Sequence, residues 1–408
     1  MQPKIFFADD HEIDSTIIDP DALFVIHKLR EAGFTAYLVG GSVRDLLIKK
    51  KPKDYDISTS AQPEQIKHLF QRQCLLIGRR FRLAHIRFGH KIIEVATFRS
   101  GDNDSDLITQ DNQWGTPEED VLRRDFTING LFYDPLTHSV IDYAGGWEDI
   151  HKRVLRTIGV PKIRFRQDPV RMIRLLKFRA RFGFEIEPTT YQALIQTREE
   201  IIKSSPARVL EEIFRMLESG ASSLFFHQMS ESGLLELLFP CLTHFLTGKH
   251  GEKIYQYLAS ADKINLGSGK NPLDRSILTS CLLYPILEQE IHTQFLAKDL
   301  VPHIGEIMML TTSLIKGVVT SSFSQFPRRI SSTMSFILAT QYRLTPLTGK
   351  RHHRPKLFRN KEFELALDFL RVRTLIDPDL VNTYSSWKNL YRQCEKQPER
   401  KIHPPPRK

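Results

Sequence analysis

Apolar and polar positions keep two rhythms in the first part of the chain and one rhythm afterwards. From Pro20, "PDALFVIHKLREAG" repeats apolar residues three and four apart and predicts a helix, as do the stretch from Ser42 and the stretch from about Gln62 to Phe70. Between them lie short runs, "AYLVG" and "DYDIST", that predict strands. "LAHIRFG" and "HKIIEVATFR" predict a hairpin with Gly89 and His90 at its turn, and "KIIEVATF" is apolar enough to be a strand buried on both faces. Thr116 in "TPEE" predicts a helix start, with Pro117 at the first position and Glu119 closing a capping box. "RRDFTINGLFY" reads as another helix start. From Asp168 to about Leu390 nearly every segment keeps the helical period, as in "DPVRMIRLLKFRARFGF", "PARVLEEIFRMLESG" and "KEFELALDFLRVRT". The expected class is α+β: an α/β head with a mixed sheet, followed by an all-helical body and tail.

At 408 residues the chain exceeds one ordinary core. The pattern divides it into an N-terminal lead (1–19), the head (20–147), a helical neck and body (148–240), a helical C-terminal region (241–394) and a tail (395–408). The tail, rich in proline and basic residues, is expected to be disordered. "SGDNDSDLITQDNQW", Ser100 to Trp114, is polar, acidic and aperiodic, the mark of a mobile loop.

Charge narrows the partner. Lys and Arg number 58 against 48 Asp and Glu, a net +10 that favours a polyanion, nucleic acid before an anionic membrane. No apolar run reaches the roughly 18 residues a membrane helix needs. The start "MQPKIFFADDHEIDS" is acidic where a secretion signal is basic, so the expected location is cytoplasmic, with no membrane partner. Cys74, Cys241, Cys281 and Cys394 lie too far apart for a zinc knuckle or disulfide framework.

The candidate chemistry begins at "KPKDYDIST". On a strand Asp54 and Asp56 would face one way, roughly 6 to 7 Å apart. Two carboxylates that close call for a cation, and hard oxygen ligands on a rigid strand suit Mg²⁺ shared with substrate phosphates. Upstream, "YLVGGSVRDLL" puts Gly40 and Gly41 between a strand and a helix with Ser42 at its cap. That turn either cradles a phosphate or is simply tight. Arg44 and Asp45 follow, as phosphate contact with its partner or as a solvated face. Glu94, in an apolar strand, must meet a metal, an arginine such as Arg87 or Arg99, or a donor. Asp125 and Asn129, four apart beside Arg123 and Arg124, fit a ribose or phosphate clamp, or a cap and a surface residue. Asp168, before Pro169, fits a helix cap paired with Arg171; the same acceptor and donor could read a base edge. Arg164, Arg166, Arg171, Arg174, Lys177, Arg179 and Arg181 interleave with Phe165, Phe178 and Phe182, a composition suited to RNA backbone and base stacking.

In order, "LVGGSVRDLL", "KPKDYDIST", "LIGRRFRLAHIRFG", "IIEVATFR", "EEDVLRRDFTING" and "QDPVRMIRLLKFRARFGF" resemble the class II nucleotidyltransferases, the family of bacterial poly(A) polymerases and CCA-adding enzymes. The likeness spans about residues 30 to 220. "LIGRRFRLAHI" and "SPARVLEEIFRMLESG" resemble the poly(A) polymerase branch. The resemblance implies a head of nucleotidyltransferase type and template-independent addition of AMP from ATP to RNA 3′ ends. The alternatives are a CCA-adding enzyme and a non-catalytic RNA-binding protein. It further implies that Asp54 and Asp56 hold two Mg²⁺ ions, that Asp125 is the third essential acid and that Glu94 is a supporting carboxylate. Gly40, Gly41 and Arg44 would cradle the triphosphate. Arg124 and Asn129 would hold ribose and phosphate, and Asp168 and Arg171 would read the base. Gln167 stands where the family often has Glu. RNA contacts are expected at Arg164, Arg166, Arg174, Lys177, Arg181, Lys350, Arg351 and Arg354, with RNA-decay proteins as partners and a monomeric state.

Overall fold

The computed structural model describes residues 2–78, 83–101, 113–248, 251–269, 271–323, 325–348 and 357–395. The expected acidic loop, the basic stretch Lys350 to Arg354 and the C-terminal tail therefore fall wholly or mostly outside the described residues. The chain forms two compact units, 1–200 and 201–408.

The first unit is built on one eight-stranded sheet. Its strands are β1 (Lys4–Phe6), β2 (Ala36–Val39), β3 (Asp56–Thr59), β4 (Cys74–Ile77), β5 (Leu83–Phe88), β6 (Lys91–Thr97), β7 (Leu131–Asp134) and β8 (Ser139–Asp142). Their spatial order is β1-β8-β7-β2-β3-β6-β5-β4. Every neighbouring pair is antiparallel except β3 and β6, which run parallel, so the sheet is mixed as expected. The N-terminal lead is part of this sheet: β1 pairs along β8.

Alternation puts Leu38, Ile57, Ala84, Ile86, Ile93 and Val95 on one face, all fully or almost fully buried. Helix α1 (Pro20–Glu31) lies there against β2 and β3, burying Ala22, Val25, Ile26 and Leu29, and is capped by the Asp19 carboxylate. Short helix α2 (Gly41–Leu47) follows β2, and α3 (Pro63–Phe70) packs on β4 and β5. Helix α4 (Pro117–Leu122) starts at Thr116 with the expected capping box. Then come α5 (Gly146–Lys152), α6 (Pro161–Gln167), α7 (Val170–Phe182) and α8 (Pro188–Thr197), with a small parallel pair, β9 (Val154–Leu155) and β10 (Glu185–Ile186).

Several local expectations are overturned. β3 begins at Asp56, so Asp54 stands in the bend before it. The register explains this: Asp56 pairs with Val39, the last residue of β2, after which the chain turns at Gly40 and offers no ladder partner. The cap of α2 is Gly40, not Ser42, whose hydroxyl donates to the Val39 carbonyl at 3.0 Å. β6 is not buried on both faces, since Ile92 and Glu94 are exposed. "RRDFTINGLFY" is a bend, a bridge from Phe126 to Thr157, a 3₁₀ turn at Thr127–Asn129 and then β7. Its β-branched Thr127 and Ile128 precede Gly130 and suit a turn into a strand better than a helix. Asp168 closes α6, and no side-chain cap precedes α7.

The second unit is helical among the described residues. Its long helix Arg275–Gln294 packs against Gly251–Gly267, Ile304–Ile315, Arg328–Leu344 and Phe363–Thr374. Trp387 sits in the last part of its core, donating from Nε1 to the Leu344 carbonyl at 3.0 Å.

Candidate active site

The parallel pairing of β3 and β6 does what no local pattern could: it puts Asp56 and Glu94 directly side by side. Both residues, and Asp54, are exposed. Protein atoms still crowd the Asp56 carboxyl, and this partial loss of water, with the charge of Glu94 and Asp54, pushes its pKa up to about 6 against the opposing pull of Arg124. Negative charge thus converges at a strand end with too little positive charge to balance it. Across β6, His85 of β5 stands opposite Glu94, Nε2 lying 3.3 Å from Oε1; that ring, not Arg87 or Arg99, is the partner of Glu94. Among the described residues no three His, Cys, Asp or Glu side chains are grouped so as to hold a metal ion by themselves. Open carboxylates with room for water and phosphate oxygens fit Mg²⁺, which is held by one or two acids and its substrate.

Next to this row the chain turns sharply from β2 into α2. Gly40 has φ 69° and ψ −124°, a conformation only glycine adopts readily. A Cβ there would come within 3.3 Å of Arg124 Nη1. Arg124 is aimed by Asp120, which receives its Nη2 at 2.7 Å and Nε at 3.2 Å, while Nη2 also lies 3.3 Å from Ser58 Oγ. Asp120 is wholly buried and also takes the Nε of Arg123 at 3.0 Å. Burial alone would raise its pKa, but Arg124 and Arg123 more than reverse this and hold it below the usual carboxylate range. Asp120 is a residue that sequence reasoning missed. Its signal was the spacing in "EEDVLRR", three and four residues before two arginines.

Asp125 belongs to a different setting. It is buried, and its Oδ1 accepts from the Phe126 N–H at 2.8 Å and from Asn129 Nδ2 at 3.0 Å. Its Oδ2 lies 2.9 Å from Arg174 Nη2. Burial opposes its charge, but Arg174 and these donors hold its pKa below the usual range. Asn129 turns its own oxygen to Arg44 Nη1 at 2.6 Å. Arg44 is buried as well, donating through Nε and Nη2 to Asp45 at 2.9 and 2.7 Å, with its guanidinium 4.5 Å from the centre of the Phe182 ring. Asp125, Asn129 and Arg44 are therefore joined to one another, whereas Asp54, Asp56 and Glu94 form the open group.

The arginines expected to face RNA divide in the same way. Arg164 is buried and donates to the Arg124 carbonyl at 2.6 Å and to Gln167 Oε1 at 3.1 Å. Arg171, also buried, reaches the Arg123 carbonyl at 3.1 Å. Arg174 holds Asp125, and Arg181 lies 3.7 Å from Asp45. Phe165, Phe178 and Phe182 are core residues, so they do not offer stacking faces to bases. Arg166 is exposed and Lys177 half-buried. The segment Arg123–Asp125 is thus clamped from α6 and α7.

Comparison with known proteins agrees with this architecture. A solved CCA-adding enzyme of Bacillus stearothermophilus, in complex with CTP, superposes with a TM-score of 0.64 at 25% identity, covering 93% of this chain and 83% of that one. The fold is therefore that of a nucleotidyltransferase. Residues 36–156 match the poly A polymerase head domain, 183–246 the probable RNA and SrmB-binding site of polymerase A, and 318–407 the polymerase A arginine-rich C-terminus. Poly(A) polymerase I of Salmonella typhi is 35% identical over 90% of this chain and 81% of its own length. The CCA-adding enzyme of Lactobacillus helveticus is 38% identical, over 48% of this chain and 49% of its own. The chain belongs to the bacterial poly(A) polymerase family.

Proposed function

We propose that Asp54, Asp56 and Glu94 are the metal-binding acids of an enzyme that adds AMP from ATP to RNA 3′ ends without a template. The observation that carries this reading is the direct pairing of Asp56 with Glu94 on an open strand end. Two Mg²⁺ ions bound by these acids and the triphosphate would lower the pKa of the RNA 3′-hydroxyl and neutralise charge on the departing pyrophosphate. Gly40 and Gly41, lacking side chains, let the Arg124 and Arg44 guanidiniums come close to the backbone where a phosphate would bind, and Arg124, fixed by Asp120, supplies the adjacent positive charge. Glu94 takes the place of third acid, and Asp125 with Asn129 and Arg44 holds the turn beneath. Asp168 and Arg171, at the α6–α7 junction, read the incoming base, and Arg164 steadies Gln167 beside them.

AMP addition is favoured over CCA addition by the reach of the sequence likeness, since the fold is shared by both. The poly(A) polymerase relative matches 90% of this chain and the CCA-adding relative only 48%. The test gives the purified protein two primers, an arbitrary 3′-hydroxyl RNA and a tRNA lacking its CCA end, with ATP and CTP separately and together. Long, heterogeneous A-tails on the first primer with ATP alone are expected. Three additions confined to the tRNA and requiring CTP would make this a CCA-adding enzyme. Incorporation that persists in EDTA would remove the metal from the reading.

A further inference from the structure

We propose that His85 is a positioning residue for Glu94, fixing the carboxylate that the reading above assigns to metal binding; the inference rests on that reading. Glu94 stands in a row of three, with Asp56 on one side by the parallel register of β3 and β6 and His85 on the other by the antiparallel register of β5 and β6. The three residues come from three adjacent strands, and β5 is hydrogen-bonded on both edges, to β4 and to β6. His85 is therefore anchored by the backbone, and its side chain is only 17% exposed, whereas that of Glu94 is 49% exposed.

A half-exposed glutamate has several rotamers to choose from, and the like charge of Asp56 pushes it outward. The ring nitrogen 3.3 Å from Oε1 opposes that push. With Nε2 carrying the proton, the ring turns an N–H toward one carboxylate oxygen, at ion-pair distance rather than in a hydrogen bond, and leaves the other oxygen for a ligand. Partners of this kind orient metal-binding carboxylates and tune their affinity without touching the ion. With Glu94 half-exposed to water, the pair adds little to folding stability.

The test measures Mn²⁺ binding to the full chain by electron paramagnetic resonance, without nucleotide, alongside thermal melting. His85→Leu should weaken Mn²⁺ binding by about tenfold with melting unchanged, and His85→Gln, which keeps an N–H donor, should recover most of the loss. Raising Mn²⁺ to saturation should return the AMP transfer rate of His85→Leu toward that of the unaltered protein. Glu94→Gln should weaken binding at least as much, and His90→Ala, at the hairpin turn, should change nothing. Wild-type Mn²⁺ affinity in His85→Leu, with weakened binding in Glu94→Gln, overturns the role of His85 alone. Wild-type affinity in Glu94→Gln overturns the assignment of Glu94 beneath it. If His85→Leu melts the head, His85→Asn, whose amide is too short to reach Glu94, replaces it with the same outcomes.

Discussion

The head holds two groups of acids under opposite physics. Asp54, Asp56 and Glu94 are exposed residues that stand together, and crowding of the Asp56 carboxyl by protein atoms, with the charge of Glu94 and Asp54, pushes it up to about 6. Asp120 and Asp125 are buried, surrounded by arginines and donors, and held below the usual carboxylate range. The first group has bonding capacity left for a ligand. The second is engaged by Arg123, Arg124 and Asn129 through hydrogen bonds and by Arg174 through an ion pair. An acid within a shared motif can therefore act on the substrate or on the scaffold, and its partners in the fold distinguish the two.

The largest expected effect lies in the open group. On the proposed metal reading, Asp56→Ala removes an acid worth several kcal/mol in the transition state, so AMP transfer should fall about 1000-fold or more. Melting temperature should hold or rise, because like-charge repulsion at the strand end is relieved. Activity within tenfold of the unaltered protein, at unchanged circular dichroism, would end the metal reading.

The buried group should answer with stability. Asp125→Ala removes the buried acceptor of Asn129 and the carboxylate beside Arg174, whose side chain is 35% exposed, and should cost about 1 to 3 kcal/mol in denaturant unfolding. The pH dependence has a fixed sign. A carboxyl with a depressed folded pKa stabilises the fold above its unfolded value, near about 4, and the contribution disappears as pH falls through the lower folded value. The stability gap between the two proteins should thus be full at pH 7 and narrow below about pH 4. A variant that melts normally yet is inactive would move Asp125 into the open group.

How far this division could be read in the sequence depended on the range of the interaction. Local chemistry was legible: the periodicity of α1 and α3 and the capping box at Thr116 are set by residues within one or two turns. That Glu94 belongs beside the Asp pair was expected from the cost of an unpaired carboxylate in an apolar strand, but its direct register with Asp56 was not legible, because it depends on parallel strands that meet only in the folded sheet. The four-residue spacing of Asp125 and Asn129 suggested a helix. The two do bond, but across a 3₁₀ turn, since that spacing brings side chains together in more than one conformation. The run of arginines gave composition without direction. Nothing local says that Arg164 and Arg171 turn inward to the carbonyls of Arg124 and Arg123.

Arg171 tests whether a clamp can also read a base. Arg171→Ala should lower stability through its lost carbonyl bond, and should also shrink the preference for ATP over GTP by about tenfold or more, since an unmade polar contact to the base removes discrimination. The ratio of kcat/KM for the two nucleotides separates these effects, because unfolding lowers both values equally. An unchanged ratio would leave Arg171 a clamp only.

The smallest effect sharpens the comparison among the basic residues. Each phosphate contact to single-stranded RNA releases counterions and adds about 0.7 to the slope of log affinity against log salt. Arg166 is exposed, while Arg174 lies beside the Asp125 carboxylate. Arg166→Gln should therefore flatten the slope by about 0.7 with melting unchanged. Arg174→Gln should lower the melting temperature and leave the slope nearly intact, because its charge is already balanced within the protein. Both measurements need only a labelled unstructured RNA, titrated at several salt concentrations without nucleotide. If Arg174→Gln flattens the slope as much as Arg166→Gln, the Asp125 pair opens when RNA binds, and the line between scaffold and contact surface runs into α7.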